Sequence, residues 1–381
     1  MNFLTYLLSR LISQDRVERH FSYLILLLLI NTLIYIFISP NITLFLTPLT
    51  SAGSAICNYH TLLIFSFIYI IYFSQLSENN KYLQFSGFNI LAELTKTGLF
   101  LALMLSLLTF YKGSNHVQYL RFLEYSKTTG NSKEFVWDSI LVNIDTQLLP
   151  FFPKGQISLY LDTDSSMGIT STIGKIYSEI LQIFYISYYL WGNILGAYLT
   201  YYYYLNITQK FQKRIIYRLI LMFLTCWIGG FIFNIMLNLI FPAVSPRIYL
   251  EYQNEIQGYY FCQIIRNNLH SVAKNTFGAF PSAHCSLSWI VPILTYRMNM
   301  KLYTLISFSC AILISISTLV MRYHYFIDFI AGFVVVFTSC WFGGFLTHKG
   351  FIKSLELQNL DLEEFDFKIL RSKENEYIFK N

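Results

Sequence analysis

Apolar runs of about twenty residues recur along this chain, and no other feature limits its fold so strongly. The first reads "FSYLILLLLINTLIYIFIS" and spans Phe21–Ser39. A bilayer core takes ~20 apolar residues per helix, and in lipid every backbone N–H and C=O must find a partner within the structure. Eight such runs are expected to be spans: Phe21–Ser39, Ala55–Gln75, Leu94–Tyr111, Ile176–Leu205, Tyr217–Phe241, Pro281–Tyr296, Leu302–Met321 and His324–Leu346. The expected fold is an all-α polytopic membrane protein. Composition agrees, with 55% of residues apolar and 13% charged, where a soluble domain carries ~25% charge.

Basic residues lie beside the apolar runs, as topology signals do, so the net charge of +6 is not read as nucleic-acid binding. Arg10, Arg16 and Arg19 place the N-terminus inside. Lys210, Lys213, Arg214 and Arg218 then fall inside, as do Arg297, Lys301 and the tail 347–381. The tetrad Tyr201–Tyr204 reads as an aromatic belt at the inner interface. Residues 1–93 form N-terminal anchor helices, and 94–346 hold a functional core. The outer segment 112–175 is too long for a plain connector and is expected to fold as a cap. The six cysteines show no C-x-x-C spacing and read as buried thiols, while Cys57 and Cys262 could both face the outer side and pair. His60, His116 and His270 read as surface or packing residues, and Gly229, Gly230 and Gly332 as close helix contacts.

This topology gathers polar residues from three segments on the outer face. "FPAVSPR" supplies Arg247, "PSAH" supplies Ser282 and His284, and "HYFID" supplies His324 and Asp328. Ser282 can cap the helix after Pro281, and the free N–H groups of its first turn, at Ala283, favour a phosphate-like anion. Arg247 adds a planar fork matched to phosphate oxygens. His324 and Asp328, four apart, share one helical face. The carboxylate can take the proton of one ring nitrogen and leave the other nucleophilic, while His284 protonates the leaving oxygen. A nucleophile, an orienting carboxylate, an acid and an anion cradle make a phosphoryl-transfer site that needs neither metal nor cofactor. Ionisable residues at a span's edge are functional more often than structural.

The three segments resemble the signature motifs of the type 2 phosphatidic acid phosphatase and vanadium haloperoxidase superfamily. Ser282 and His284 match the second motif. His324 and Asp328 match the third, with Ser317 at its serine. Thr318 stands where that motif has arginine, and Arg247 follows Pro246 instead of preceding a proline. Arg322 and Lys274 are candidates for the missing charge. "FPAVSPR", "PSAH" and "HYFIDFIAG" are closest to the branch that includes inositol phosphorylceramide synthases. The resemblance implies a six-helix catalytic core and an enzyme that moves a phospho-group from a phospholipid, through a phospho-histidine on His324, to a lipid alcohol or to water. The rival of another class is an anionic-lipid transporter, but such sites lie at mid-membrane, whereas these residues gather at one surface.

Overall fold

The computed structural model describes residues 118–119, 121–129, 135–205, 210–273 and 277–347, with positions 19, 20, 23 and 26. The second and third expected spans, the first apart from positions 23 and 26, Lys274, Cys57 and the tail beyond 347 lie outside the described residues. What is described is helical, without strands; one bridge joins Ala243 to Gly278. The described residues include nine α-helices: α1 Asp138–Leu148, α2 Ile157–Tyr160, α3 Thr172–Leu205, α4 Lys210–Ile240, α5 Pro246–Tyr249, α6 Phe261–Ala273, α7 Ala283–Arg297, α8 Lys301–Val320 and α9 Phe326–Phe342.

Local chemistry sets several helix ends. Ser171 accepts from the N–H of Gly174 at 2.9 Å, a side-chain cap at the start of α3. Ser282 caps α7 by accepting from Cys285 N–H at 3.3 Å. At the head of α9, Asp328 Oδ2 accepts from Tyr325 N–H at 2.8 Å. The far ends of α7 and α9 are tied together: Arg297 donates to the carbonyls of Phe345 and Leu346 at 3.1 and 3.0 Å.

Helices α3, α4, α7, α8 and α9 form a bundle, and α7 packs against all four others. Trp227, Phe223 and Met222 of α4 lie at the heart of the core. Small residues let the helices close up. A Cβ on Gly192 of α3 would fall 2.0 Å from the Trp227 ring, and one on Gly230 would fall 2.8 Å from Ile290 of α7. Where lipid replaces water, such close backbone approach supplies much of the packing energy. Polar pairs add to it: Asn234 donates to Ser286 Oγ at 2.7 Å, and Trp289 Nε1 to Ser315 Oγ at 3.0 Å. Two stretches, Ile215–Ile240 and Lys301–Val320, are long and apolar enough to cross a membrane. Outward rows such as Ile176, Ile180, Ile183 and Leu190 on α3 leave apolar side chains uncovered among the described residues.

Candidate active site

Two candidate side chains come from helix starts on one end of the bundle. His284 sits in the first turn of α7, and His324 just precedes α9. Their rings face each other, with His324 Nε2 3.4 Å from His284 Nδ1. The other nitrogen of His324, Nδ1, is 2.7 Å from the carbonyl oxygen of Ala279 and 3.2 Å from Asp328 Oδ2. A carbonyl oxygen can only accept, so Nδ1 carries the proton and donates it to Ala279. Nε2 is therefore the bare, nucleophilic nitrogen. The sequence assigned this tautomer control to Asp328 alone. In the structure the shorter bond goes to the Ala279 backbone, and Asp328 shares its Oδ2 between His324 and the N–H of Tyr325. Asp328 is fully buried, and its Oδ1 has no hydrogen-bond partner among the described residues.

His284 is held by aromatic rings that the motif does not contain. Tyr185 stacks on it with centroids 4.1 Å apart, and Tyr188 lies 4.0 Å away, tilted. Both come from α3. Tyr185 also stacks on Tyr323 at 3.9 Å, and the Tyr323 hydroxyl donates to Gln182 at 2.9 Å. His284, Tyr185 and Tyr323 thus form one continuous stack.

Charge is supplied unevenly. The Arg247 guanidinium lies 5.2 Å from the Tyr323 ring centroid, a cation–π contact. Its Nε has no hydrogen-bond partner among the described residues, so the fork remains available to an anion. Ser282 is wholly buried and acts as a cap. Its contribution to an anion is to order the first turn at Ala283, whose N–H groups point out of the helix start. Ser317 and Thr318 turn back on their own helix, donating to the carbonyls of Ile314 and Ser315. The Thr318 carbonyl, in contrast, accepts from both Tyr323 N–H and His324 N–H at 3.0 Å, and so helps to place the His324 ring. Arg322 is committed elsewhere. It is 4% exposed, donates to Asp162 at 3.2 Å and to the Asn254 carbonyl at 2.7 Å, and stacks 3.7 Å over the Tyr252 ring. Burial pulls its pKa below the usual arginine value, against the pull of Tyr252 and Asp162.

Carboxylates of the segment before α3, with Glu179 early in α3, hold these pieces together. Asp138 accepts from Val244 N–H at 2.9 Å, Ser245 N–H at 3.2 Å and the Tyr325 hydroxyl at 2.6 Å. Asp145, two turns along the same helix, accepts from Phe326 N–H at 2.7 Å, Ile327 N–H at 2.8 Å and Gln156 Nε2 at 2.7 Å. Asp162 accepts from Gln253 N–H at 2.6 Å and Asn254 N–H at 3.0 Å besides its pair with Arg322. Glu179, early in α3, accepts from the N–H groups of Tyr260 and Cys262 around the start of α6. Burial raises the pKa of both Asp138 and Asp145, and the donors to each oppose that rise. Two residues held in this way have strained backbones: Ser245 at φ 108° and Arg322 at φ 68°. Such conformations cost ~1–3 kcal/mol each and persist only where surroundings impose them. Each stands two positions before a candidate site residue, Arg247 and His324 respectively.

Local spacing carries no signal for these clamps, because carboxylate and N–H are 81 to 182 residues apart. Cys262 is a buried free thiol, its pKa pushed up to about 11 by burial. Among the described residues no group of three or more His, Cys, Asp or Glu has metal-binding geometry.

The comparisons with known proteins agree with this geometry. Residues 177–342 match the profile of the PAP2 superfamily. A Dictyostelium discoideum protein described as a "PA-phosphatase related-family protein" is 37% identical over 234 residues, which is 58% of this chain and 42% of that protein. The chain therefore spans less than half the length of this relative. No solved structure matches the chain significantly. The matched stretch holds α4, α7, α8, α9 and nearly all of α3, with both histidines, and over residues 177–342 this helical bundle is similar to the PAP2 superfamily.

Proposed function

We propose that this chain is an integral membrane enzyme that cleaves a lipid phosphoester through a phospho-histidine and passes the phospho-group to an alcohol acceptor. The observation that carries the reading is the fixed tautomer of His324: Nδ1–H is bonded to Ala279 O at 2.7 Å and bare Nε2 faces His284 at 3.4 Å. Nε2 attacks phosphorus as the P–O bond to the leaving group breaks. The leaving oxygen takes a proton from His284. The imidazole, now positive, is stabilised by Asp328 and the Ala279 carbonyl, and Arg247 with the first turn of α7 faces the phosphoryl oxygens. In the second half His284 takes the proton of the incoming hydroxyl, and that oxygen displaces Nε2.

The acceptor is read as an alcohol because His324 is only 4% exposed and the outer segment closes on the site, so water is kept from the intermediate. Water as acceptor is the second reading, and the description of the Dictyostelium relative as phosphatase-related favours it. We place the site on the outer side of a bundle with eight spans, three of them before the described bundle, with both termini inside. Lipid phosphates are the substrate class.

The test is purified protein with a phospholipid labelled in its phosphate. Wild type should acquire acid-labile, alkali-stable label on protein, and His324→Ala at equal expression should acquire none. Turnover by the alanine variant at more than a trace would sink the reading. Supplying ceramide or a polyprenol separates the acceptors: a new phosphodiester marks transfer, and free phosphate alone marks hydrolysis.

A further inference from the structure

A histidine that moves protons is ordinarily oriented by a hydrogen bond from its second nitrogen to a carboxylate or a carbonyl. His324 follows that rule, with Nδ1 tied to Ala279 O and Asp328. His284 does not. Among the described residues its one hydrogen-bond contact runs from Nδ1 to His324 Nε2, at 3.4 Å. Phosphorus has to reach that same Nε2, so this contact opens as substrate enters and cannot hold the ring during the reaction. What remains around the imidazole is aromatic. Tyr185 stacks on it at 4.1 Å with 18° between the planes, and Tyr188 stands at 4.0 Å and 49°.

The Tyr185 ring is gripped from its other face as well. Tyr323 stacks on it at 3.9 Å and 22°. Tyr323 is fixed in turn, its hydroxyl donating to Gln182 at 2.9 Å and its N–H to Thr318 O at 3.0 Å, and it directly precedes His324. Tyr185 is therefore a spacer between the segment that carries the nucleophile and the ring of the proton donor. It is 8% exposed, so it cannot swing aside without leaving the core. A stack engages the faces of an imidazole, fixes its plane and leaves the edge nitrogens to the substrate. Resting on the function proposed above, we propose that Tyr185 is a positioning residue for His284, holding its plane toward the leaving oxygen where other sites use a carboxylate. Tyr185 acts through His284 alone, so its effect is confined to proton delivery. An alkoxide needs that proton in order to leave, whereas a nitrophenolate departs without it.

The experiment compares dodecyl phosphate, whose leaving group is an alkoxide, with a dodecylnitrophenyl phosphate, whose leaving group is a stable phenolate. Wild type, Tyr185→Leu, Tyr185→Phe and His284→Gln are assayed at matched protein, and kcat/KM reports the first half-reaction, in which the leaving oxygen departs. Tyr185→Leu should lower it about 10- to 100-fold for the alkyl ester and less than about threefold for the aryl ester. Tyr185→Phe keeps the ring and should stay within about threefold of wild type on both. His284→Gln should show the same preference for the aryl ester. Equal losses on the two esters would mark a general disturbance of the fold, and a phenylalanine variant as impaired as leucine would assign the effect to the hydroxyl; either overturns the inference. Where leucine leaves no folded protein, Tyr185→Met carries the same comparison. Nuclear magnetic resonance supplies a readout free of turnover. The His284 ring protons, assigned by their loss in His284→Gln, should lie upfield under the Tyr185 ring, move downfield in Tyr185→Leu and stay in Tyr185→Phe. Signals unmoved by leucine would overturn the stack. Wild type that turns over neither ester sinks the proposed reaction, while turnover with equal losses sinks only the role of Tyr185.

Discussion

Asp145 is the most exacting place to test how the segment before α3 serves the site. Its carboxylate meets three donors, Phe326 N–H at 2.7 Å, Ile327 N–H at 2.8 Å and Gln156 Nε2 at 2.7 Å. The two backbone groups are the first of α9, so Asp145 caps from another element the helix that presents His324 and Asp328. Asp145→Ala leaves three donors without an acceptor. A hydrogen bond to a charged group contributes ~1.5–3 kcal/mol, and the lost desolvation cost of the carboxylate offsets part of the sum, so the net loss is about 2–4 kcal/mol. For a bundle of this size that lowers the unfolding midpoint by about 6–12 °C. Because α9 also sets the His324 ring, kcat should fall about 10- to 100-fold, the scale of a displacement near 1 Å. Asp145→Asn keeps one acceptor oxygen and should lie about midway in both measures. The assays are unfolding followed by tryptophan fluorescence in detergent, and lipid turnover at matched protein. An alanine variant that unfolds within a degree of wild type and turns over at the wild-type rate would refute the clamp.

Asp328→Asn should cost about 10–100-fold in kcat, well short of the ~10⁴-fold of a triad whose carboxylate alone sets the tautomer, since Ala279 O holds the His324 proton at 2.7 Å. A 10⁴-fold loss at unchanged folding would show that the backbone bond does not suffice. The raised carboxyls predict a pH dependence of stability. Asp138 and Asp145 keep their protons in the fold to a higher pH than in the unfolded chain, where the value is 3.8. Their contribution is complete below that value and is lost as pH rises through the folded range. The difference in unfolding free energy between wild type and Asp138→Asn/Asp145→Asn should therefore shrink as pH rises from 4 toward neutrality; a difference that grows reverses the sign of the argument.

The histidines, Asp328 and Arg247 were legible because each sits at a helix start or loop with a local reason to be polar in apolar surroundings. Ser317 and Thr318 held the spacing of a motif, yet their hydroxyls turn to the helix's own carbonyls, the usual fate of such groups on an apolar helix. Arg322 was singled out for the missing charge, and the structure commits it to Asp162 and Tyr252 instead. Tyr185 and Tyr188 could not be told from packing aromatics, since nothing in α3 shows which face meets His284. The Ala279 carbonyl has no side-chain signature at all. Helix type was plain from apolar length, and the described residues are helical as expected, with α7 and α9 starting a few residues inside the expected spans because Ser282 and Tyr325 act as caps.

The four acidic grips also impose a direction on assembly. Asp138, Asp145 and Asp162 leave the ribosome before every loop they will hold, and their partners near residues 244, 253 and 326 follow later. The clasp is thus made first and the things it clasps arrive afterwards, so the catalytic corner can close only once α9 has emerged. The same ordering bears on dissection of the chain. A polypeptide trimmed to residues 177–342 would keep every motif side chain and Glu179, but discard the other three grips, releasing Ser245 and Arg322 to relax toward ordinary backbone angles. Sequence similarity in that stretch therefore marks where the chemistry resides, while the tension that shapes it is imposed from upstream.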